Sequence, residues 1–225
     1  HASGFLSTVA PLVQMGVLPP DYPVSCFSIT GYSGGGKDMI AEYEDPNRDP
    51  ALAAPALYSM GLRHSHLNEM QHIAGLDYPP VFVPILSDMY SGMATSVTLQ
   101  NRLLRGTPTA QDICEMLQSY YQDQSLVSVM PFGQNGPRLV SNTMAGTDCL
   151  EITVCGGHSK SESNAGISGN HRLEAGVNRP GPTHRRGRNL RWMQIWIVQR
   201  YLPKPCLTSS SIMEKSWSST AAACP

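Results

Sequence analysis

The sequence predicts an α+β domain with helices packed on one face of a sheet. Three observations lead there. The periodic segments run helix, strand, short helix, strand pair, helix, strand, strand. They cease near residue 156. A composition of 41% hydrophobic and 15% charged residues over 225 positions suits one ordinary globular core. No apolar run approaches the roughly 20 residues that a spanning helix needs, so no membrane partner is expected.

Taken in order, residues 2–15 place Phe5, Leu6, Val9, Leu12 and Val13 on one helical face, with Gly16 positioned to end it. Residues 22–30 set Val24, Cys26 or Phe27, and Ile29 in a β-rich context and read as a strand. It runs into the glycine-rich loop Gly31-Tyr32-Ser33-Gly34-Gly35-Gly36-Lys37, and residues 45–55 form a Pro-, Asp- and Asn-rich connection. Ser65 is placed to cap a short helix from about His66 to Ala74. Residues 81–86 and 93–99 read as strands joined by a hairpin-like connection over 87–92. Thr107 and Pro108 read as the cap and first position of a helix whose apolar face is Ile113, Met116, Leu117, Tyr120 and Tyr121. Residues 126–129 and 149–154 supply two further strands.

Charge divides the chain. Residues 1–156 hold 6 Lys+Arg against 14 Asp+Glu, a net of -8, and residues 157–225 hold 10 against 3, a net of +7. Beyond residue 157 the periodicity stops: residues 159–191 are rich in Ser, Asn, Gly, Pro and Arg, residues 192–202 are a lone apolar island, and the end is Ser-rich. The expectation is an irregular basic tail over 157–225, disordered or non-native. Arginines interleaved with Trp192, Trp196 and Trp217 would also suit a nucleic-acid arm, but the composition favours the disordered reading and no nucleic-acid partner is expected. The six cysteines, Cys26, Cys114, Cys149, Cys155, Cys206 and Cys224, form no Cys-x-x-Cys pair, so free thiols in a reducing, cytoplasmic setting are expected.

Most chemistry near neutral pH lies in residues 60–72, which hold His64, His66, Glu69 and His72. Three readings stand side by side. The histidines cap or satisfy a helix start. They build a metal site from His64, His66 and Glu69 or His72, as in a metal-binding or metallohydrolase domain, although the spacing matches no standard zinc motif. Or one histidine is a general acid/base oriented by Glu69 or by the other histidine. The glycine loop fits Gly-x-x-x-x-Gly-Lys, but Asp38 stands where a hydroxyl would bind the nucleotide's magnesium, which argues against a P-loop. It remains either a plain connection or a backbone nest at Ser33, Gly34, Gly35 and Gly36 that binds an anion or approaches a cofactor.

Four ordered segments, Gly31 to Lys37, His64-Ser-His-Leu-Asn-Glu69, Ser91 to Val97 and Ala145 to Ile152, together resemble N-acetyl-γ-glutamyl-phosphate reductase over roughly residues 1–156. The resemblance implies a glyceraldehyde-phosphate-dehydrogenase-like C-terminal domain, with a mixed, largely antiparallel sheet that binds substrate and dimerises. It implies an NADP-dependent reduction of N-acetyl-glutamyl 5-phosphate to the semialdehyde in arginine biosynthesis. In that chemistry a cysteine thiolate displaces phosphate and a hydride reduces the resulting thioester. The family's Asn-Pro-Gly-Cys segment aligns just before His1, so both the nucleophile and most of the NADP site are expected outside this chain, and the chain alone is expected to be inactive. His64 then falls on the acid/base position, His66 and Glu69 support it, and Ser33 to Gly36 lie against cofactor or substrate phosphate. The expected partners are a small-molecule acyl phosphate and a second copy of the chain through the sheet. A non-catalytic oligomerisation module is the remaining reading. Asn68 and Ser91 depart from the family pattern.

Overall fold

A computed structural model describes residues 1–156 and 192–199. It contains α1 (Ala2–Gln14), β1 (Ser25–Gly31), α2 (Lys37–Glu44), β2 (Ala56–Leu57), α3 (His66–Ala74), β3 (Val81–Ser87), β4 (Met93–Gln100), α4 (Ala110–Tyr121), β5 (Val127–Val129), β6 (Leu150–Gly156) and β7 (Trp192–Gln199). The strands form one sheet in the order β2-β3-β1-β4-β7-β6-β5. Pairing is antiparallel throughout except for β1 with β3 and β5 with β6, which are parallel. The mixed, largely antiparallel α+β architecture is the expected one.

Alternation decides which face is covered. Register puts Cys26 and Ser28 of β1 level with Val97 and Thr95 of β4. These in turn oppose Ile195 and Ile197 of β7, which pair with Val154 and Ile152 of β6. All eight are essentially buried, because α1 and α4 lie over this face. Gly4 of α1 approaches so closely that an added Cβ would stand 2.8 Å from Thr95 Oγ1. Gly156 does the same for α4, where a Cβ would collide with that of Ala110. On the opposite face, Phe27 and Val81 remain 47% and 63% exposed.

α1 is helical despite Pro11, which offers no N–H to the carbonyl four residues back. That carbonyl, Ser7 O, accepts instead from the Tyr121 hydroxyl of α4 at 2.7 Å. One hydrogen bond thus repairs the helix and ties it to its neighbour. Gly75, in the left-handed region at φ 72°, ends α3 at the expected place.

Several expectations need correction. Strands β3 and β4 are not a hairpin: β1 lies between them, and the 87–92 connection arches over its end, with the Gly31, Tyr32 and Ser33 amides donating to the Gly92, Met89 and Tyr90 carbonyls. Helix α4 is capped by Thr109, not Thr107. Thr107 sits at φ 48°, while Thr109 and Asp112 form a reciprocal capping box. Helix α2 follows the glycine loop even though four charged residues among its eight leave little apolar pattern, and only Tyr43 is buried. Eight residues of the supposed island at 192–202 form β7, a central strand paired along its whole length with β4 and β6. The remainder of the expected tail lies outside the described residues. Cys26, Cys114 and Cys155 are free thiols, whereas Cys149 is disulfide-bonded, contrary to the all-thiol expectation.

Candidate functional site

The histidine-rich segment meets the start of α1 against the β1 and β3 part of the sheet. His1, immediately before α1, is buried, with its ring Nδ1 2.7 Å from Ser28 Oγ and its Nε2 2.6 Å from the Tyr58 hydroxyl. Ser28 Oγ is in turn 2.8 Å from Thr95 Oγ1, so a polar chain runs from Tyr58 through His1 into the sheet. Ser28 and Thr95 are fully buried, and this chain is how their hydroxyls are satisfied.

The other rings close around His1. The His64 ring is 5.5 Å from it edge-on, the His66 ring 5.8 Å, and the two are 4.8 Å from each other. Phe82 of β3 packs edge-on against both His1 and His64 at 5.2 and 5.1 Å. Tyr58 reaches the cluster because β2 leads directly into it, its amide held by the Pro84 carbonyl. His64 Nδ1 accepts the backbone amide of His66 at 3.1 Å, at the first turn of α3. Burial holds the His64 imidazole below its usual pKa.

Among the sequence-predicted residues, His64 and His66 are brought together with His1. Glu69 lies exposed in the first turn of α3. His72 points elsewhere, donating Nδ1–H to the Asn68 carbonyl at 2.8 Å. Among the described residues no group of three or more His, Cys, Asp or Glu side chains is placed to hold a metal ion, so the metal-binding and metallohydrolase reading has no donor set. His1, Ser28, Tyr58, Phe82 and Thr95 were not singled out from the sequence. A fourth histidine at the start of an apolar-faced helix was the available signal; the hydroxyls carry none.

The glycine loop folds as a short 3-10 turn, Tyr32–Gly35, leading into α2. Gly31 cannot carry a side chain, since a Cβ would lie 2.5 Å from Met89 O. Gly36 is at φ 83° with nothing within 4 Å of a would-be Cβ, leaving bare exposed backbone at Gly35 and Gly36. Among the described residues no strand leads into a Gly-x-Gly-x-x-Gly loop.

A separate open cavity of about 790 Å³ lies on the opposite sheet face, lined by Met130, Arg138, Cys155 and Trp196 among others. Of the free thiols, Cys26 is buried beneath α1 and pushed up to about 12 by that burial. Burial likewise raises Cys114 and Cys155. None has the low-pKa, accessible setting of a nucleophile.

The fold is that of the semialdehyde dehydrogenases. Aspartate semialdehyde dehydrogenase from Francisella tularensis aligns at TM-score 0.54 and 12% identity, covering 88% of this chain and 57% of that one. Aspartate semialdehyde dehydrogenase II from Vibrio cholerae aligns at TM-score 0.53 and 12% identity, covering 87% and 53%. The chain belongs to the family "semialdehyde dehydrogenase, dimerisation domain", whose model matches residues 1–164. It is 36% identical over 159 residues to the N-acetyl-γ-glutamyl-phosphate reductases of Brucella ovis and Brucella canis, covering 69% of this chain and 51% of each relative. The chain therefore spans about half the length of the curated relatives it matches. Among the described residues no helix is long and apolar enough to cross a membrane.

Proposed function

We propose that this chain is the substrate-binding and dimerisation part of an NADP-dependent N-acetyl-γ-glutamyl-phosphate reductase, acting in the cytoplasm in arginine biosynthesis. The observation that carries this reading is the packing of His64 and His66 against His1 at the start of α1, in a chain 36% identical to reductases of that name.

NADPH, when bound, supplies the hydride. The residues here prepare the acyl group to receive it. His64 is the acid/base residue at the reacting carbonyl, with its ring orientation set by the His66 amide and by Phe82. His66 walls the other side, and Glu69 adds negative charge at the rim. The Ser33 to Gly36 backbone meets the cofactor or the substrate phosphate at its edge. The Tyr58–His1–Ser28–Thr95 chain keeps the floor of the site rigid.

Residues 1–156 carry both roles, with β7 completing the sheet. The open sheet face around Phe27 and Val81 supports assembly with a second copy. Because none of the described free thiols is an accessible nucleophile, the reading predicts no NADPH oxidation by the purified chain with the acyl phosphate. Turnover by the chain alone would refute this division of labour. Sedimentation tests the dimer, and a strict monomer at micromolar concentration would count against it.

A further inference from the structure

We propose that the cavity on the sheet face opposite the histidines binds a free α-amino acid with an apolar side chain, its carboxylate held by Arg138 and its ammonium group by Glu151. The site stands apart from the proposed reductase chemistry and does not depend on that reading.

Strand alternation builds the floor. Ile152 and Val154 of β6, with Ile195 and Ile197 of β7, are buried under the helices, so Glu151, Thr153, Trp196 and Val198 face the other way and line the cavity. Register sets Glu151 opposite Val198 and Thr153 opposite Trp196. The wall is the segment that follows β5, which contributes Met130, Arg138 and Leu139. That segment is held at its far end. Gly92 lies so close to it that an added Cβ would stand 2.7 Å from Ser141 O, and the Ser141 hydroxyl points at Met89 Sδ at 3.4 Å. The histidines lie on the other side of the sheet, where His1 meets Ser28. The thickness of the sheet therefore separates the two sites.

The lining selects the ligand by charge. Arg138 and Glu151 line the same cavity, yet neither is in an ion pair among the described residues. Residues 1–156 hold only 6 Lys and Arg against 14 Asp and Glu, so Arg138 is not part of a generally basic surface. A simple anion would meet Arg138 but also the Glu151 carboxylate, and a simple cation would meet the reverse. A zwitterion satisfies both at once. Between the two charges, Trp196, Met130, Leu139 and Val198 offer hydrocarbon and aromatic surface for a side chain. The volume of about 790 Å³ falls inside the range of roughly 300–1,000 Å³ usual for small-molecule sites. Phe27 and Val81, the exposed residues given above to a second copy, lie on β1 and β3, across β4 from this floor.

Isothermal titration calorimetry of the full chain tests the site with L-leucine, L-methionine and L-phenylalanine. The single-charge probes are 4-methylpentanoate, which is leucine without its ammonium group, and 3-methylbutylamine, which is leucine without its carboxylate. At least one of the three amino acids is expected to bind at one site per chain, with each single-charge probe weaker than leucine by about tenfold or more. Arg138→Met and Glu151→Gln should each weaken the amino acid by a similar factor at an unchanged thermal midpoint. The probe comparison needs no variant and stands if either substitution unfolds the chain. No saturable binding of any of the three up to about 10 mM would overturn the proposal. So would a single-charge probe that binds as well as leucine, or folded variants that bind like the parent. Binding that disappears at the protein concentration where sedimentation shows association would assign the cavity to the second copy, and would overturn it too.

Discussion

Replacing Ile197 by alanine tests whether β7 belongs to the sheet. Ile197 is fully buried, opposite Thr95 of β4 on one side and Ile152 of β6 on the other, under α1. The substitution removes three carbon groups, worth about 0.8 kcal/mol each on transfer from water. A cavity term adds to the resulting ~2.4 kcal/mol, because the flanking strands are held by their own ladders and cannot collapse inward, so a loss of about 3 kcal/mol is expected, inside the ~2–5 range for such truncations. Against a typical unfolding free energy of about 5–15 kcal/mol this is a large fraction. At a slope of about 2 kcal/mol per molar urea it lowers the midpoint by roughly 1.5 M. Urea unfolding followed by circular dichroism, at matched protomer concentration, is the assay. Asp123→Ala, at an exposed position just after α4, is the control and should change stability by under about 0.5 kcal/mol. If Ile197→Ala shifts the midpoint no more than the control does, at unchanged slope, β7 is not a central strand and the register described above is wrong.

Three further outcomes are expected. Ser28→Ala leaves the buried His1 Nδ1 and Thr95 hydroxyl without their shared partner, and should cost about 1–3 kcal/mol by denaturant midpoint; a neutral result would mean the polar chain is not formed. Gly31→Ala drives a methyl group into the Met89 and Tyr90 carbonyls and should cost more than about 2 kcal/mol by the same measurement, whereas Gly36→Ala, strained only by its φ of 83°, should cost less. Because the folded-state pKa of His64 lies below its unfolded value, its contribution to stability is complete above the ordinary histidine pKa and is lost as pH falls through the lowered one. Thermal midpoints should therefore decline on acidification below about pH 6.5 more steeply in the parent than in His64→Gln, and identical profiles would remove His64 as the cause.

Helix α1 and strands β1, β3, β4 and β6 were legible from their apolar residues and bounding turns, and α3 from Ser65 as a cap, although the Ser65 side chain makes no capping hydrogen bond. The misreadings have physical causes. A parallel partner inserted between β3 and β4 leaves no mark in the turn that joins them, so a hairpin was the natural inference from residues 87–92. Strand β7 was missed because an isolated apolar stretch set in polar sequence does not show that β4 and β6 flank it in the sheet. Within the site, His64 and His66 stood out by residue type and spacing. Ser28 and Thr95 did not, because a buried hydroxyl acquires its meaning from a partner 27 or 67 positions away.

The most direct test of the central claim is a chimera in which this chain replaces the matching half of the Brucella ovis reductase, assayed for NADPH oxidation with N-acetyl-γ-glutamyl phosphate beside the parent enzyme and the chain alone. The account predicts turnover by the chimera, none by the chain alone, and loss of turnover in the chimera on His64→Ala. A chimera that folds, dimerises and binds NADPH yet fails to turn over, or one indifferent to His64→Ala, would contradict it.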